Sequence, residues 1–122
     1  MNRDIKVSHE NESRITTLNG HVVRNLITLE DHGSGRISFH VLDFKDPMVP
    51  AQDKRVVHNE NDEIIYLVSG EAHIDWGESL EKSVKMKPGH AIFIPEGVSY
   101  RPYYGGSTRI IVVVSPSRVI GK

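Results

Sequence analysis

Short hydrophobic runs alternate with polar turns along most of the chain, and no run keeps the apolar spacing of a helix over three turns. Runs rich in Val, Ile, Tyr and Phe that end at Gly, Pro, Asn or Asp are typical of β-strands. The pattern predicts nine strands, at residues 21–29, 36–44, 54–58, 63–69, 71–76, 82–87, 91–95, 98–104 and 108–115. Short strands at this spacing indicate an all-β sandwich or barrel with essentially no α-helix.

The segment before the first predicted strand has a different character. Residues 1–20 are polar, and we expect them to form a flexible arm. Alternatively, the sequence IKV at residues 5–7 adds an edge strand to a partner subunit. Residues 21–122 are predicted to form one domain, because a chain of 122 residues is about the size of a single domain.

The composition removes several classes of function. Fifteen Lys and Arg against 16 Asp and Glu give a formal net charge of -1, without a long basic run, so we expect no nucleic-acid partner. The absence of cysteine excludes disulfides, thiolate metal ligands and a cysteine nucleophile. No stretch has the apolar core of a signal peptide or the ~18 apolar residues of a membrane span. We therefore expect a cytoplasmic protein that has no membrane partner.

Glycine and proline recur at a spacing that resembles the cupin family. The second cupin motif is written G(x)5PxG(x)2H(x)3N, and the stretch GHAIFIPEGVSYRPYY matches it at Gly89, Pro95 and Gly97. Tyr100 stands at the place of the motif histidine, and Tyr104 stands at the place of the asparagine. The glycine and proline positions fit tight reversals between strands, where glycine permits a positive φ and proline fixes a turn.

The first cupin motif, G(x)5HxH(x)3-4E(x)6G, is matched in part. His58, Glu63 and Gly70 agree with it, whereas Val56 replaces the first histidine and Pro50 replaces the opening glycine. The resemblance covers roughly residues 36–115. It implies a cupin-type double-stranded β-helix, which is a small antiparallel jelly-roll barrel closed around a pocket.

The resemblance also implies which side chains enter that pocket. Family ligands converge from the positions of His58, Glu63 and Tyr100, so we expect these three side chains to meet inside the barrel. Because side chains alternate faces along a strand, neighbours two or four residues away share the inward face. The predicted substrate pocket therefore includes Val56, Ile65, Val98 and Tyr104.

A metal site at this place is one of two alternatives. Cupins that bind a divalent metal use three histidines and one glutamate, a donor set that suits Fe, Mn, Ni, Zn or Cu. Here His58, Glu63 and Tyr100 would be the ligands, with Tyr100 acting as a phenolate. In the alternative, His58 and Glu63 form a hydrogen-bonded pair in a pocket that has lost its metal.

Three further histidines have simpler interpretations. His90 follows a turn glycine and is expected to be a solvated turn residue. His40 and His73 lie within predicted strands whose facing the sequence does not determine. Either would supply a missing ligand if it pointed inward, but we expect an outward, solvated imidazole at both positions.

Two functions follow from this pocket, and the sequence leaves both open. The first is a small enzyme that acts on a sugar derivative, a keto acid or a polyketide-type intermediate by metal-assisted or acid-base chemistry. In that enzyme His58 and Glu63 bind metal or move protons, and Tyr100 is the third ligand or a proton donor. The second is a metal-free module that binds a small ligand, as a sensor or accessory subunit. The retained pair slightly favours the enzyme, although Val56 favours the module.

The last predicted strand indicates self-association. The run RIIVVV at residues 109–114 is nearly continuous in apolar residues, as in a strand that is buried on both faces. Single-domain cupins commonly dimerise through sheet packing, so the resemblance favours the same conclusion. We expect a homodimer.

Overall fold

The computed structural model describes residues 4–18, 20–48, 57–118 and 120 of the chain. The described part contains ten strands and one short helix. In chain order they are β1 Arg14–Leu18, β2 His21–Ile27, α1 Leu29–His32, β3 Ser38–Phe44, β4 Val57–His58, β5 Asp62–Ser69, β6 Ala72–Trp76, β7 Lys82–Met86, β8 Ala91–Ile94, β9 Ser99–Tyr104 and β10 Thr108–Ser115. The predicted all-β class is confirmed, and each of the nine predicted strands has a counterpart in the described residues.

Two antiparallel sheets form the molecule. The larger sheet has six strands in the order β1-β2-β3-β10-β5-β8, and the smaller has four in the order β4-β9-β6-β7. Strand β10 lies inside the larger sheet, between β3 and β5. The inward side chains of β10 are fully buried, whereas Arg109, Ile111 and Val113 on its other face are half-buried. Within one chain the strand is therefore not buried on both faces, as its apolar run had predicted.

Two elements were not predicted from the apolar pattern. Residues Arg14–Leu18 of the expected arm form β1, which pairs with β2 of the same chain. The helix Leu29–His32 begins after Thr28, whose side chain accepts a hydrogen bond from the Asp31 backbone, and ends at Gly33 with a positive φ of 71°. These are ordinary helix caps, but one turn of helix is too short to produce an apolar periodicity.

The core lies between the inward faces of the two sheets. Along the strands, buried positions alternate with exposed or half-buried ones. Strand β5 shows this most clearly, because every second residue from Glu63 to Leu67 is buried. The larger sheet contributes chiefly residues of β3, β5 and β10, and the smaller sheet chiefly residues of β6 and β9. The buried apolar cluster includes Leu42, Phe44, Ile65, Leu67, Ile74, Met86, Ile94, Ile110, Val112 and Val114.

The turn after β5 depends on a glycine of the first motif. Gly70 has a φ of 90°, and a Cβ atom added there would lie 2.6 Å from the Thr108 Cα atom, which is backbone. Gly89 also has a positive φ, of 95°, but a Cβ atom there would meet nothing within 4 Å. Gly70 is therefore required both for its conformation and for the close approach of β10.

The outward face of the larger sheet carries an apolar patch. Ile64, Tyr66 and Val68 of β5 are each more than a third exposed, and Phe93 of β8 is 61% exposed. Ile64 is paired directly with Phe93 across the two strands. Among the described residues there is no helix that is long and apolar enough to cross a membrane.

Candidate functional site

A cavity of about 410 Å³ opens between the two sheets. Strands of both sheets contribute to its wall, and Met48, Arg118 and Ile120, which lie outside the strands, complete it. Most of the wall is apolar or aromatic, with a few polar side chains at defined places. The lining residues are Leu18, His21, Leu42, Phe44, Met48, Val57, Glu63, Tyr100, Pro102, Tyr104, Ile110, Val112, Arg118 and Ile120.

Glu63 is the centre of the polar part of the wall. Strand β5 turns its side chain inward, where it is only 3% exposed. The Tyr100 hydroxyl donates a hydrogen bond of 2.9 Å to Oε1, and the Arg118 guanidinium donates one of 3.1 Å to Oε2. Both carboxylate oxygens are thus bound, which satisfies a charge that would otherwise be costly to bury. We refer to Glu63, Tyr100 and Arg118 as the polar triad.

Arg118 reaches the cavity from the segment that follows β10. Its backbone N–H donates to the Ser38 hydroxyl at 3.1 Å, and the same hydroxyl lies 3.3 Å from the Arg118 carbonyl. The Asn61 side chain donates to the Pro116 carbonyl at 2.9 Å, and its own oxygen lies 3.5 Å from the guanidinium. These contacts hold the segment against β3 and β5, so that the guanidinium is directed at Glu63.

The structure does not bring His58 to the polar triad. Strand β4 pairs Val57 with Tyr100 and His58 with Ser99, so Val57 shares the inward face with Tyr100. Val57 lines the cavity, whereas His58 is exposed and its Nδ1 atom lies 2.9 Å from the Ser99 hydroxyl. The expected convergence therefore holds for Glu63 and Tyr100 but not for His58. The expected pair of His58 and Glu63 is not formed either, since Tyr100 and Arg118 are the partners of Glu63.

The facing of β4 follows from a difference of one residue in the motif. The family pattern allows three or four residues between its second histidine and its glutamate. A spacing of four puts the second histidine position at His58 and predicts that His58 points inward. With a spacing of three, the two histidine positions fall on Val57 and Asn59. Asn59 is buried and donates to the carbonyls of Ile94 and Pro95 at 3.1 and 3.0 Å, so its amide supports the turn after β8.

The predicted substrate-pocket residues divide into several groups. Tyr104 lines the cavity, as expected. Ile65 is inward but lies in the packed core, and Val98 packs against that core; neither is part of the cavity wall. Val56 lies outside the described residues, so its predicted place in the pocket stays a prediction.

The two inward tyrosines, Tyr100 and Tyr104, are buried close to the Glu63 carboxylate. Burial raises the pKa of Tyr100 above its ordinary value, and the neighbouring Tyr104 and Glu63 raise it further. Burial, followed by the Glu63 charge, likewise raises the pKa of Tyr104. Removing a proton from either phenol would add a second negative charge beside Glu63. The hydroxyls therefore stay protonated at neutral pH.

His40 is buried, contrary to the expected solvated state. Its side chain is completely shielded from solvent, with Nδ1 2.6 Å from the Asn25 side-chain oxygen and Nε2 2.8 Å from the Ser38 hydroxyl. Burial, together with the Arg118 charge, lowers its pKa from 6.5 to about 4. A neutral His40 therefore supports Ser38, which in turn contacts the Arg118 backbone.

The other two histidines face solvent, as the sequence interpretation expects. His73 is 44% exposed in its side chain, and its Nε2 atom lies 2.8 Å from Asp75 and 2.6 Å from Ser83. His90 is exposed in the turn before β8, and its Nδ1 atom accepts a hydrogen bond from the Lys87 backbone. Neither residue lines the cavity of the polar triad.

The polar triad does not suit the divalent metal that the cupin resemblance implies. Glu63 already binds a cationic guanidinium, and Tyr100 is a protonated donor rather than a phenolate. No histidine of the described chain completes the donor set, and no three His, Asp or Glu side chains of these residues are grouped to hold a metal ion. A second cation at Glu63 would also be repelled by Arg118. The side chains present thus favour hydrogen bonding over metal coordination.

Arg118 is the component that the sequence did not reveal. It lies three residues beyond the last predicted strand and outside both motifs. The only signal is the polar sequence SPSR directly after the apolar run of β10. Arginine is a common partner of buried carboxylates, but nothing in the local pattern identifies Glu63 as its partner.

Comparisons with known proteins agree with this architecture. The sequence matches no family model, and it matches no curated protein significantly. The fold is similar to that of KdgF from Halomonas sp., with a TM-score of 0.74 and 15% sequence identity over 94% of this chain and 96% of that one. It is also similar to an RmlC-like cupin from Shewanella frigidimarina NCIMB 400, with a TM-score of 0.72 and 16% identity over 97% and 96% of the two chains.

A third similar structure is the polyketide cyclase RemF from Streptomyces resistomycificus. Its TM-score is 0.71, with 20% identity over 94% of this chain and 82% of that chain. Identities this low show a shared fold and leave the activity of this chain open. The chain has the cupin-type fold, a small antiparallel β-barrel.

Proposed function

We propose that this small cupin binds a small organic molecule in its barrel cavity and that the polar triad contacts the molecule without a metal ion. The observation that carries this proposal is that both carboxylate oxygens of Glu63 already accept hydrogen bonds, one from Tyr100 and one from Arg118. Arg118 supplies the positive charge that a metal would supply in a complete cupin site. A mostly apolar cavity with a few converging polar groups is the usual form of a small-molecule site.

The facing of β4 allows a direct test of where the molecule binds. Val57→Trp places a large side chain at the cavity wall, whereas His58→Trp places the same side chain on the outside of the same strand. A mixture of small organic fragments, observed by ligand-detected NMR, should bind wild type and His58→Trp but not Val57→Trp. Fragments that bind all three proteins equally would show that the cavity is not the binding site.

The metal-free part of the proposal has its own measurement. Tag-free protein is incubated with Fe, Mn, Ni, Zn or Cu, desalted and subjected to elemental analysis. A competent metal site would fill substantially under these conditions. Because the polar triad is not such a site, we expect less than about a tenth of a metal ion per chain. Stoichiometric binding that Glu63→Ala abolishes would overturn the metal-free proposal and restore the metal-assisted enzyme.

A second candidate function is acid-base catalysis in the same cavity. Glu63 is a nearly buried carboxylate in contact with a protonated phenol, and such a pair is suited to proton transfer without any cofactor. Glu63 would accept a proton from an activated carbon of the bound molecule and return it at another carbon, which isomerises the molecule. Incubation of keto and enol probes in D₂O with wild type and Glu63→Gln tests this. Deuterium uptake that depends on Glu63 supports catalysis, and its absence leaves binding alone.

We also propose that the protein is a homodimer and that the apolar patch on the larger sheet is the interface. The patch is formed by Ile64, Tyr66, Val68 and Phe93, and it has no charged member. Exposed patches of this kind commonly mark protein contacts. A twofold axis through the patch would cover these residues with their own copies.

A further inference from the structure

We propose that the ligand of this cavity is a neutral, planar aromatic molecule that carries a hydroxyl or carbonyl oxygen. This inference deepens the proposed function and rests on it. Two independent features of the wall define the ligand. The polar triad determines its charge, and a group of aromatic rings in the same wall determines its shape.

The charge argument begins from the balance within the polar triad. Glu63 and Arg118 neutralise each other at a separation of 3.1 Å. A ligand carboxylate would be repelled by Glu63 and would compete with it for the guanidinium. A ligand ammonium would compete with Arg118 for Glu63 in the same way. A hydroxyl or carbonyl can instead share the Tyr100 hydroxyl or the remaining guanidinium N–H groups without separating the ion pair.

The shape argument begins from three rings. Phe44 and Tyr104 are stacked with centroids 4.5 Å apart, and His21 lies 4.7 Å from Phe44 at an interplanar angle of 30°. All three rings line the cavity, beside aliphatic side chains of β3 and β10. Flat π-surfaces favour offset or edge contacts with another ring over contacts with a puckered aliphatic molecule. The cavity volume of about 410 Å³ is at the lower end of the range for ligand sites, which suits a molecule of few rings.

The test compares probes that differ in one property at a time. The neutral aromatic alcohol 2-naphthol is compared with 2-naphthoate, which has the same rings and a negative charge, and with 2-decalol, which is neutral but saturated. Methyl NMR spectra of the protein report binding through Val57, Ile110 and Val112 of the cavity wall. The exposed Ile37, which lies outside both the cavity and the proposed interface, detects non-specific binding. We expect 2-naphthol to bind at the cavity methyls at least ten-fold more tightly than either of the other probes.

Two variants reverse the charge preference. Glu63→Gln keeps the size of the side chain and leaves Arg118 without its anion, so 2-naphthoate should gain at least ten-fold in affinity. Arg118→Met leaves Glu63 without its cation, so 2-naphthylmethylammonium should gain instead. The two variants are independent, and the methyl spectrum of the core residues Ile74 and Met86 shows whether each one is folded. Gains by the stated probes support the role of the ion pair in selecting a neutral ligand.

The outcomes separate this inference from the proposed function. If 2-naphthoate or 2-decalol binds the wild-type cavity as tightly as 2-naphthol, the cavity binds small molecules but the inferred ligand class is wrong. Unchanged charge preference in both variants likewise overturns the inference alone. If no probe moves the cavity methyls at millimolar concentration, the inference falls, whereas the proposed function falls only if the fragment mixture also fails to distinguish wild type from Val57→Trp.

Discussion

Acidification should weaken this protein through His40, and the effect can be isolated by one substitution. The folded protein holds His40 neutral with a pKa of about 4, whereas an unfolded chain has the ordinary value of 6.5. Below pH 6.5 the unfolded state therefore binds a proton that the folded state refuses until about pH 4. The contribution of neutral His40 to the free energy of unfolding is therefore complete above pH 6.5 and is lost progressively as the pH falls to about 4.

The magnitude follows from the same two pKa values. Each pKa unit corresponds to about 1.36 kcal/mol, so the difference between 6.5 and about 4 corresponds to about 3 kcal/mol of unfolding free energy. This is a large part of the ~5–15 kcal/mol that stabilises a typical domain. Urea denaturation of wild type between pH 7 and pH 4 should show this loss in addition to the contribution of the carboxylates.

His40→Gln removes the titrating group and keeps hydrogen-bonding capacity toward Asn25 and Ser38. Its unfolding free energy should decrease by about 3 kcal/mol less than that of wild type between pH 7 and pH 4. His58→Gln is the matched control, because His58 is exposed and lies outside the contacts of His40, and it should retain the wild-type dependence. Equal pH dependence in wild type and His40→Gln, or an NMR titration of His40 above pH 6, would refute the reasoning.

Four other predictions concern single contacts. Gly70→Ala should destabilise the protein by more than about 2 kcal/mol in urea denaturation, because it adds a clash with Thr108 to a strained φ. Gly89→Ala is the control: it has the strained φ without the clash and should cost about 1 kcal/mol. Equal costs for the two variants would contradict the clash. Tyr100→Phe removes the donor to a buried carboxylate oxygen and should cost about 1–3 kcal/mol, whereas an unchanged stability would argue against the bond. Arg118→Met should lower the free energy of unfolding by less than the ~3–5 kcal/mol lost when a fully buried ion pair is broken, because Arg118 is 35% exposed and Glu63 keeps its hydrogen bond from Tyr100. A greater loss would mean that Glu63 depends on Arg118 more than the geometry indicates. Light scattering with size exclusion should give the mass of two chains for wild type and of one for Phe93→Glu, and a monomeric wild type would exclude the proposed dimer.

The fold could be predicted from sequence because its determinants are local. Alternating burial along β5 leaves a pattern of period two, and glycines such as Gly70 mark reversals that other residues resist. The cupin resemblance predicted that Glu63 and Tyr100 lie on inward faces, and the structure brings them into contact. The motif spacing was sufficient for these two residues because each lies within a strand of six or more residues.

The remaining parts of the site depend on contacts between distant segments. Strand β4 has only two described residues, so no alternation fixes its facing, and a shift of one residue exchanges Val57 with His58. Five of the seven residues of β3 are buried, including neighbours on opposite faces, so burial does not show which way His40 points. Arg118 and Glu63 are separated by 55 positions, and only the folded chain joins them.

The bond between Tyr100 and Glu63 joins the two sheets, since β9 belongs to the smaller sheet and β5 to the larger. For the proposed ligand, each sheet alone would carry an incomplete binding surface, so the ligand would recognise only the two sheets packed together. Binding must then be linked to the cooperative unfolding of the whole barrel, and a saturating ligand raises the melting temperature by mass action. In hydrogen exchange, the ligand should slow the most protected amides of both β5 and β9 together, as if the two sheets were one unit.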